Sequence, residues 1–279
     1  TAVFGNLQFD RHPPNFGAMN ALLGQIADTV FRFLTQLGQW WSLTLETFRS
    51  LFTHRIYFRE VTAQIYLVGA RSQMVVCFTG AFIGMVFCAQ IFYQFHKVQM
   101  DSGTGPAVSI ALARELAPII TGLIVAGRVG AAIAAELGSM RVTEQIDALR
   151  ALAVHPVDYL VVPRTIGLVV SMPLLTAEAI LVGIVAAYMV GTQLLGIDGG
   201  YFLNNMEKYT NYRDVTAGLM KALAFGMIIA TVSCYKGLNC DEGAEGVGRA
   251  TTEAVVVSSV AILIANFFMT IVFSKLITP

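Results

Sequence analysis

Arg114 and Glu115 stand side by side near the start of a long apolar stretch, residues 107–140, with Pro118 just after them and Arg128 further along. A charge inside a membrane-length apolar segment is costly unless it is paired or faces water. Two kinds of chemistry fit the pair. One is a structural ion pair, or an arginine that snorkels to the interface. The other is a polar site at the mouth of a cavity, where a guanidinium can hold a phosphate through two parallel hydrogen bonds. Glu178 and Lys221 also fall within apolar runs, and an Arg128–Glu178 pair between spans is the expected partnership there.

Other chemistries lack the residues they need. No G-x-x-x-x-G-K-[ST] occurs, so the chain offers no P-loop for ATP. The glycine-rich run GAEGVG at 243–248 has no preceding strand and reads as a flexible turn. His12, His54, His96 and His155 are scattered and form no ligand set, so no metal is expected. Cys77, Cys88, Cys234 and Cys240 lie in or beside apolar runs without zinc spacing and read as small membrane-embedded side chains. No Ser/His/Asp arrangement can be argued from spacing, so the chain is not read as an enzyme. Zero net charge gives no footprint for nucleic acid.

The elements that must position these charges follow from composition. Of 279 residues, 56% are hydrophobic and 13% charged, about half the charge of an ordinary soluble domain. Apolar runs at about 73–95, 107–140, 166–195, 215–235 and 254–273 approach or exceed the ~20 residues needed to cross a bilayer. The expected fold is therefore an all-α polytopic membrane protein with five transmembrane helices, occupying residues 61–279. Before it, residues 1–60 comprise a polar tail with Pro13 and Pro14, then an amphipathic helix over about 19–52. That helix carries enough polar residues to lie in the interface rather than span, with Trp40 and Trp41 at headgroup level.

Small residues recur every four positions in the second span. Gly122, Ala126, Gly130, Ala134 and Gly138 form one row, and Gly127, Ala131, Ala135 and Ser139 run beside it. Such rows are expected to be packing seams, as is the Gly80–Gly84 pair of the first span. Pro118 is expected to kink its helix, since it cannot donate to residue 114. A polar, amphipathic helix at about 141–155 follows. With the N-terminus in the cytoplasm, Arg11, Arg32, Arg49, Arg55, Arg59, Arg71, Arg141, Arg150, Arg164, Lys236 and Arg249 fall inside. Only Lys97, Lys208, Arg213 and Lys275 fall outside, which obeys the positive-inside rule.

Six segments, in order and with compatible spacing, carry a resemblance: FTGAFIGM at 78–85, ARELAP at 113–118, AGRVG at 126–130, AELG at 135–138, TEQ at 143–145 and GRATT at 248–252. Over about residues 70–275 the chain resembles the MlaE/YrbE family, permease subunits of ABC transporters that move lipids with MCE-domain partners. The resemblance implies a homodimer, two cytoplasmic ATPase subunits that hold the ATP and magnesium, and an MCE-protein assembly on the periplasmic side. This chain itself would hold no cofactor. It implies a lipid, read here as phospholipid, in an outward-open cavity lined by Phe87, Ile91, Phe95, Arg114, Glu115 and Leu116; the alternatives are a permease for another small apolar solute or a sterol, and a membrane scaffold without transport. It also implies ATPase coupling through Thr143, Glu144, Gln145, Asp147, Leu149 and Arg150. Within that frame Arg114 is assigned to the lipid phosphate. Adjacent helix positions point about 100° apart, so Glu115 is assigned to a neighbouring helix or to the arginine itself. A bacterial inner membrane is the expected location, with a chloroplast inner envelope as the alternative. Two positions depart from the pattern: Ala117 stands where some relatives have glycine, and Glu178 where they are apolar.

Overall fold

The computed structural model describes residues 16–53 and 58–277, and all its elements in that range are helical. The polar start with Pro13 and Pro14, residues 54–57 and the last two positions lie outside the described residues, as do the side chains of residues 16–30, 32–33, 52–53 and 276–277. Two compact units divide the chain, Thr1–Leu43 and Thr44–Pro279. Helix α1 (Phe16–Thr53) runs through that boundary. In the first unit Phe31, Leu34, Leu37 and Trp41 are exposed.

The second unit contains five helical spans long and apolar enough to cross a membrane: Phe58–His96, Asp101–Val142, Val157–Gln193, Tyr212–Leu238 and Gly243–Lys275. The first is α2 (Phe58–His96). The second is composite: α3 (Thr104–Ala111), a π-helical turn at Leu112–Leu116, α4 (Ala117–Val125), a second π turn at Ala126–Gly130, and α5 (Ala131–Val142). After the short α6 (Gln145–Ala151) and a third π turn at Val157–Val161 comes α7 (Val162–Gln193). Then α8 (Gly199–Tyr209), α9 (Tyr212–Leu238) and α10 (Gly243–Ile277) complete the chain. Successive spans alternate in direction, so α8 lies at one end of the bundle and α6 at the other.

Each span outruns the apolar stretch that marks it, because polar residues extend the helices beyond hydrocarbon thickness. The glycine-rich 243–248 run is the clearest difference. It is not a flexible turn but the first turns of α10, and only Asn239–Glu242 connects the helices. Gly243, at φ +83°, supplies the left-handed backbone that starts it. Two local caps hold the α8 end. Asp198 accepts from the Tyr201 N–H at 2.8 Å, and Asn211 and Asp214 form a reciprocal capping box at the start of α9.

Close backbone approach sets the packing. Helices α2 and α7 run parallel, with Gly80 against Ala179 and Gly84 against Gly183, so near that a side chain at Gly84 would strike the Gly183 backbone. The expected Gly80–Gly84 seam is thus used, against α7. In the second span the two small-residue rows part company. Gly122 faces Phe225 and Ile262, Gly130 faces Ile229 and Ser233, and Gly138 faces Cys240 and Val247, so the first row packs on α9 and α10. Gly127, in the second row, is exposed with open space beside it.

Candidate functional site

Pro118 explains the local structure around Arg114 and Glu115. It has no N–H to give the carbonyl of residue 114, and the preceding turn loosens into a π-helix, with Ala117 N–H bonded to the Leu112 carbonyl. Lys221 of α9 supplies the missing donor: its Nζ lies 3.1 Å from the Arg114 carbonyl oxygen. The same ammonium lies 2.6 Å from Glu115 Oε1 and donates to Thr270 Oγ1 of α10 at 2.8 Å. Asn266 Nδ2 donates to Glu115 Oε2 at 3.1 Å, while its Oδ1 is buried without a partner. Lys221 is 1% exposed. A cation that deep is tolerated because a carboxylate, a hydroxyl and a carbonyl surround it. The cluster fastens the second, fourth and fifth spans together, so Glu115 meets neighbouring helices, not Arg114.

Arg114 has a different partner. Its Nη2 lies 2.5 Å from Oδ1 of Asp214, a residue 2% exposed. Asp214 Oδ2 also accepts the Asn211 N–H at 2.8 Å in the capping box. One buried carboxylate therefore both starts α9 and anchors a half-exposed arginine. Leu116 turns the other way. Together with Phe87 and Ile91 it packs on a cluster of Cys88, Val108, Leu112, Ala187, Ile197 and Phe202. Phe95 closes the turn into α3 by lying over Gly103. The fold therefore gathers Phe87, Ile91 and Leu116 on one side of the second span and turns Arg114 and Glu115 toward α9 and α10.

Sequence reasoning passed over Asp214, Asn266 and Thr270, and left Lys221 without a role. Signals for them exist in Asn211-x-x-Asp214 at a helix start and in the Asn266–Thr270 pair one turn apart in an apolar helix. The expected Arg128–Glu178 pair does not form. Glu178 reaches Gln73 of α2 instead, and Arg128 is exposed on the second π turn, with no ion pair among the described residues.

At the α6 end, the expected helix over 141–155 is shorter and interrupted. Helix α5 runs on to Val142, Glu144 takes a left-handed conformation at φ 57°, and α6 covers only Gln145–Ala151. Thr143, Glu144, Gln145, Asp147 and Arg150 are exposed, Leu149 is half-buried, and Ile146 is buried. Leu152 has left the helix and is 74% exposed. Asp147 accepts from Arg150 at 2.9 Å and from Arg141 at 3.5 Å. Beyond α6, His155 Nε2 lies 3.3 Å from Glu46, and Ser50 donates to Asp158, tying this segment to the last turns of α1.

The model of the Permease MlaE family matches residues 61–272. A probable ABC transporter permease protein of Synechocystis is 43% identical over 227 residues, covering 81% of this chain and 86% of the relative. One of Rickettsia bellii is 39% identical over 254 residues, covering 91% and 98%. The chloroplastic protein trigalactosyldiacylglycerol 1 of Arabidopsis thaliana is 37% identical over 215 residues, 77% of this chain and 61% of that protein. Five apolar spans, the match to nearly all of them and these relatives together place this chain in the MlaE permease family of ABC transporters.

Proposed function

We propose that this permease moves phospholipid between the membrane and a periplasmic MCE-domain protein, as a homodimer driven by ABC ATPase subunits. The carrying observation is the half-exposed Arg114, held by buried Asp214 at the end of the bundle where α8 lies. It is one turn or less from Leu116, which packs with Phe87 and Ile91. An apolar wall beside a fixed guanidinium suits acyl chains and a phosphate. The Arabidopsis relative bears the name of a glycolipid, which supports a lipid substrate.

In this reading the α8 end faces the periplasm and the α6 end the cytoplasm, in a bacterial inner membrane with the N-terminus inside. Helix α1 lies in the interface. The exposed Thr143, Glu144, Gln145, Asp147 and Arg150, with Leu149 at their edge, present α6 to the ATPase, which holds ATP and magnesium; this chain carries no cofactor. Closure of the dimer then expels the lipid from between the two copies.

Native mass spectrometry of the purified protein tests the substrate. A retained phospholipid is expected. The double variant Arg114→Gln, Asp214→Asn removes the charge without stranding a carboxylate, and it should stay folded and lose the lipid. A different bound molecule, or none, overturns the phospholipid assignment. Lipid retained by the double variant overturns the role of Arg114.

A further inference from the structure

A cavity of about 210 Å³ opens between the last turns of α1 and the α6-side halves of α7 and α9. It is remote from Arg114 and from the Phe87–Leu116 wall. Its lining is Thr44, Thr47, Phe48 and Leu51 from α1, Thr165, Ile166 and Val169 from α7, and Met227 and Thr231 from α9. Thr47, Thr165 and Thr231 form a buried floor, whereas Phe48, Ile166, Val169 and Met227 form a partly exposed rim.

The surface lining this space is apolar, and the hydroxyls of Thr165 and Thr231 are turned back onto their own helices. Thr165 Oγ1 donates to the Val161 carbonyl and Thr231 Oγ1 to the Met227 carbonyl, each at 2.9 Å. Their methyl groups are what remains to face the cavity. An apolar cavity with no free polar partners does not hold ordered water, and one of ~150 Å³ already accepts a benzene-sized ligand. This one is larger and needs an apolar occupant.

Its depth says which. Thr165 follows Arg164, whose guanidinium pairs with Glu136 at 2.8 Å at the polar end of the bundle. Val169 lies four residues deeper, about 6 Å at the helical rise. The cavity is thus at the level where a bilayer leaflet passes from headgroup to hydrocarbon. Val170, next to Val169, and Leu223, one turn before Met227, are exposed. Arg49, next in sequence to the rim residue Phe48, is exposed, with no ion pair among the described residues.

We propose that this cavity holds an acyl chain of a bilayer phospholipid on the α6 side, with its phosphate near Arg49, as a second lipid site distinct from the transport path. A transmembrane helix fits less well. Helices approach closely along flat strips of small residues, and here the small residues are sunk behind a rim of Phe48, Ile166, Val169 and Met227. The lipid would brace the stretch of α1 that Ser50–Asp158 and Glu46–His155 connect to the segment after α6.

Diazirine-bearing fatty acids built into the phospholipids of cells producing the full chain test this. After irradiation of intact membranes, lipid adducts are expected on Phe48 and Met227. Val169→Phe, with Ile166→Phe as a second filling variant, should abolish them while adducts on exposed Phe267 of α10 persist. Adducts on Phe267 but none on Met227 overturn the proposal. So do adducts unchanged in both filling variants, or a cross-linked peptide of another protein at Met227.

Discussion

Lys221 carries more of the site than any other single side chain. It neutralises Glu115, donates to Thr270 and replaces the hydrogen bond that Pro118 cannot make to the Arg114 carbonyl. Removing one partner of a buried pair commonly costs about 3–5 kcal/mol, because the other charge is left uncompensated. Lys221→Met should therefore lower the unfolding temperature in detergent strongly. Adding Glu115→Gln should recover part of the loss, since the stranded carboxylate is then gone. A single variant as stable as the parent would show that the pair contributes nothing net. Arg114 obeys a different logic, because its carboxylate partner, Asp214, is already occupied by the Asn211 N–H. Its side chain is held by Asp214 yet remains partly exposed.

Among the elements, the contrast between the two small-residue rows is sharpest. Gly84 touches the Gly183 backbone, and a side chain there has nowhere to go; Gly127 has open space. Gly84→Ala should destabilise the protein by at least the ~1–3 kcal/mol of an overpacked core, whereas Gly127→Ala should be close to neutral. Thermal unfolding of both variants in one detergent checks this. A neutral Gly84→Ala would mean that α2 and α7 can separate without cost. Both rows look alike as a pattern, since four-residue spacing marks a helix face but not its occupant. Neighbours from α9 and α10 take one, and the other stays open.

For the whole molecule, five spans alternating in direction put the α6 connection and the end of α10 at opposite ends of the bundle, and hence on opposite sides of a membrane that all five cross. A reporter inserted at Thr143 and one fused after Pro279 should accordingly read from opposite compartments. If both read from the same side, a span is missing or re-entrant.

Span number, helical class and family motifs were legible from the sequence because they rest on local quantities. Run length, four-residue spacing and short ordered motifs survive without knowledge of neighbours. Even the fate of the Arg114 carbonyl was half visible, since a proline at 118 must leave it unpaired. What filled the gap was decided only by tertiary structure. Lys221 lies more than a hundred positions away, and nothing in the spacing names it as the donor. The same holds for Asp214 with Arg114, and for Glu178, which turned to Gln73 rather than Arg128. A buried charge must find a counter-charge somewhere, which composition can demand. Which one it finds depends on how the spans cross, and that is set by where glycine lets two backbones touch.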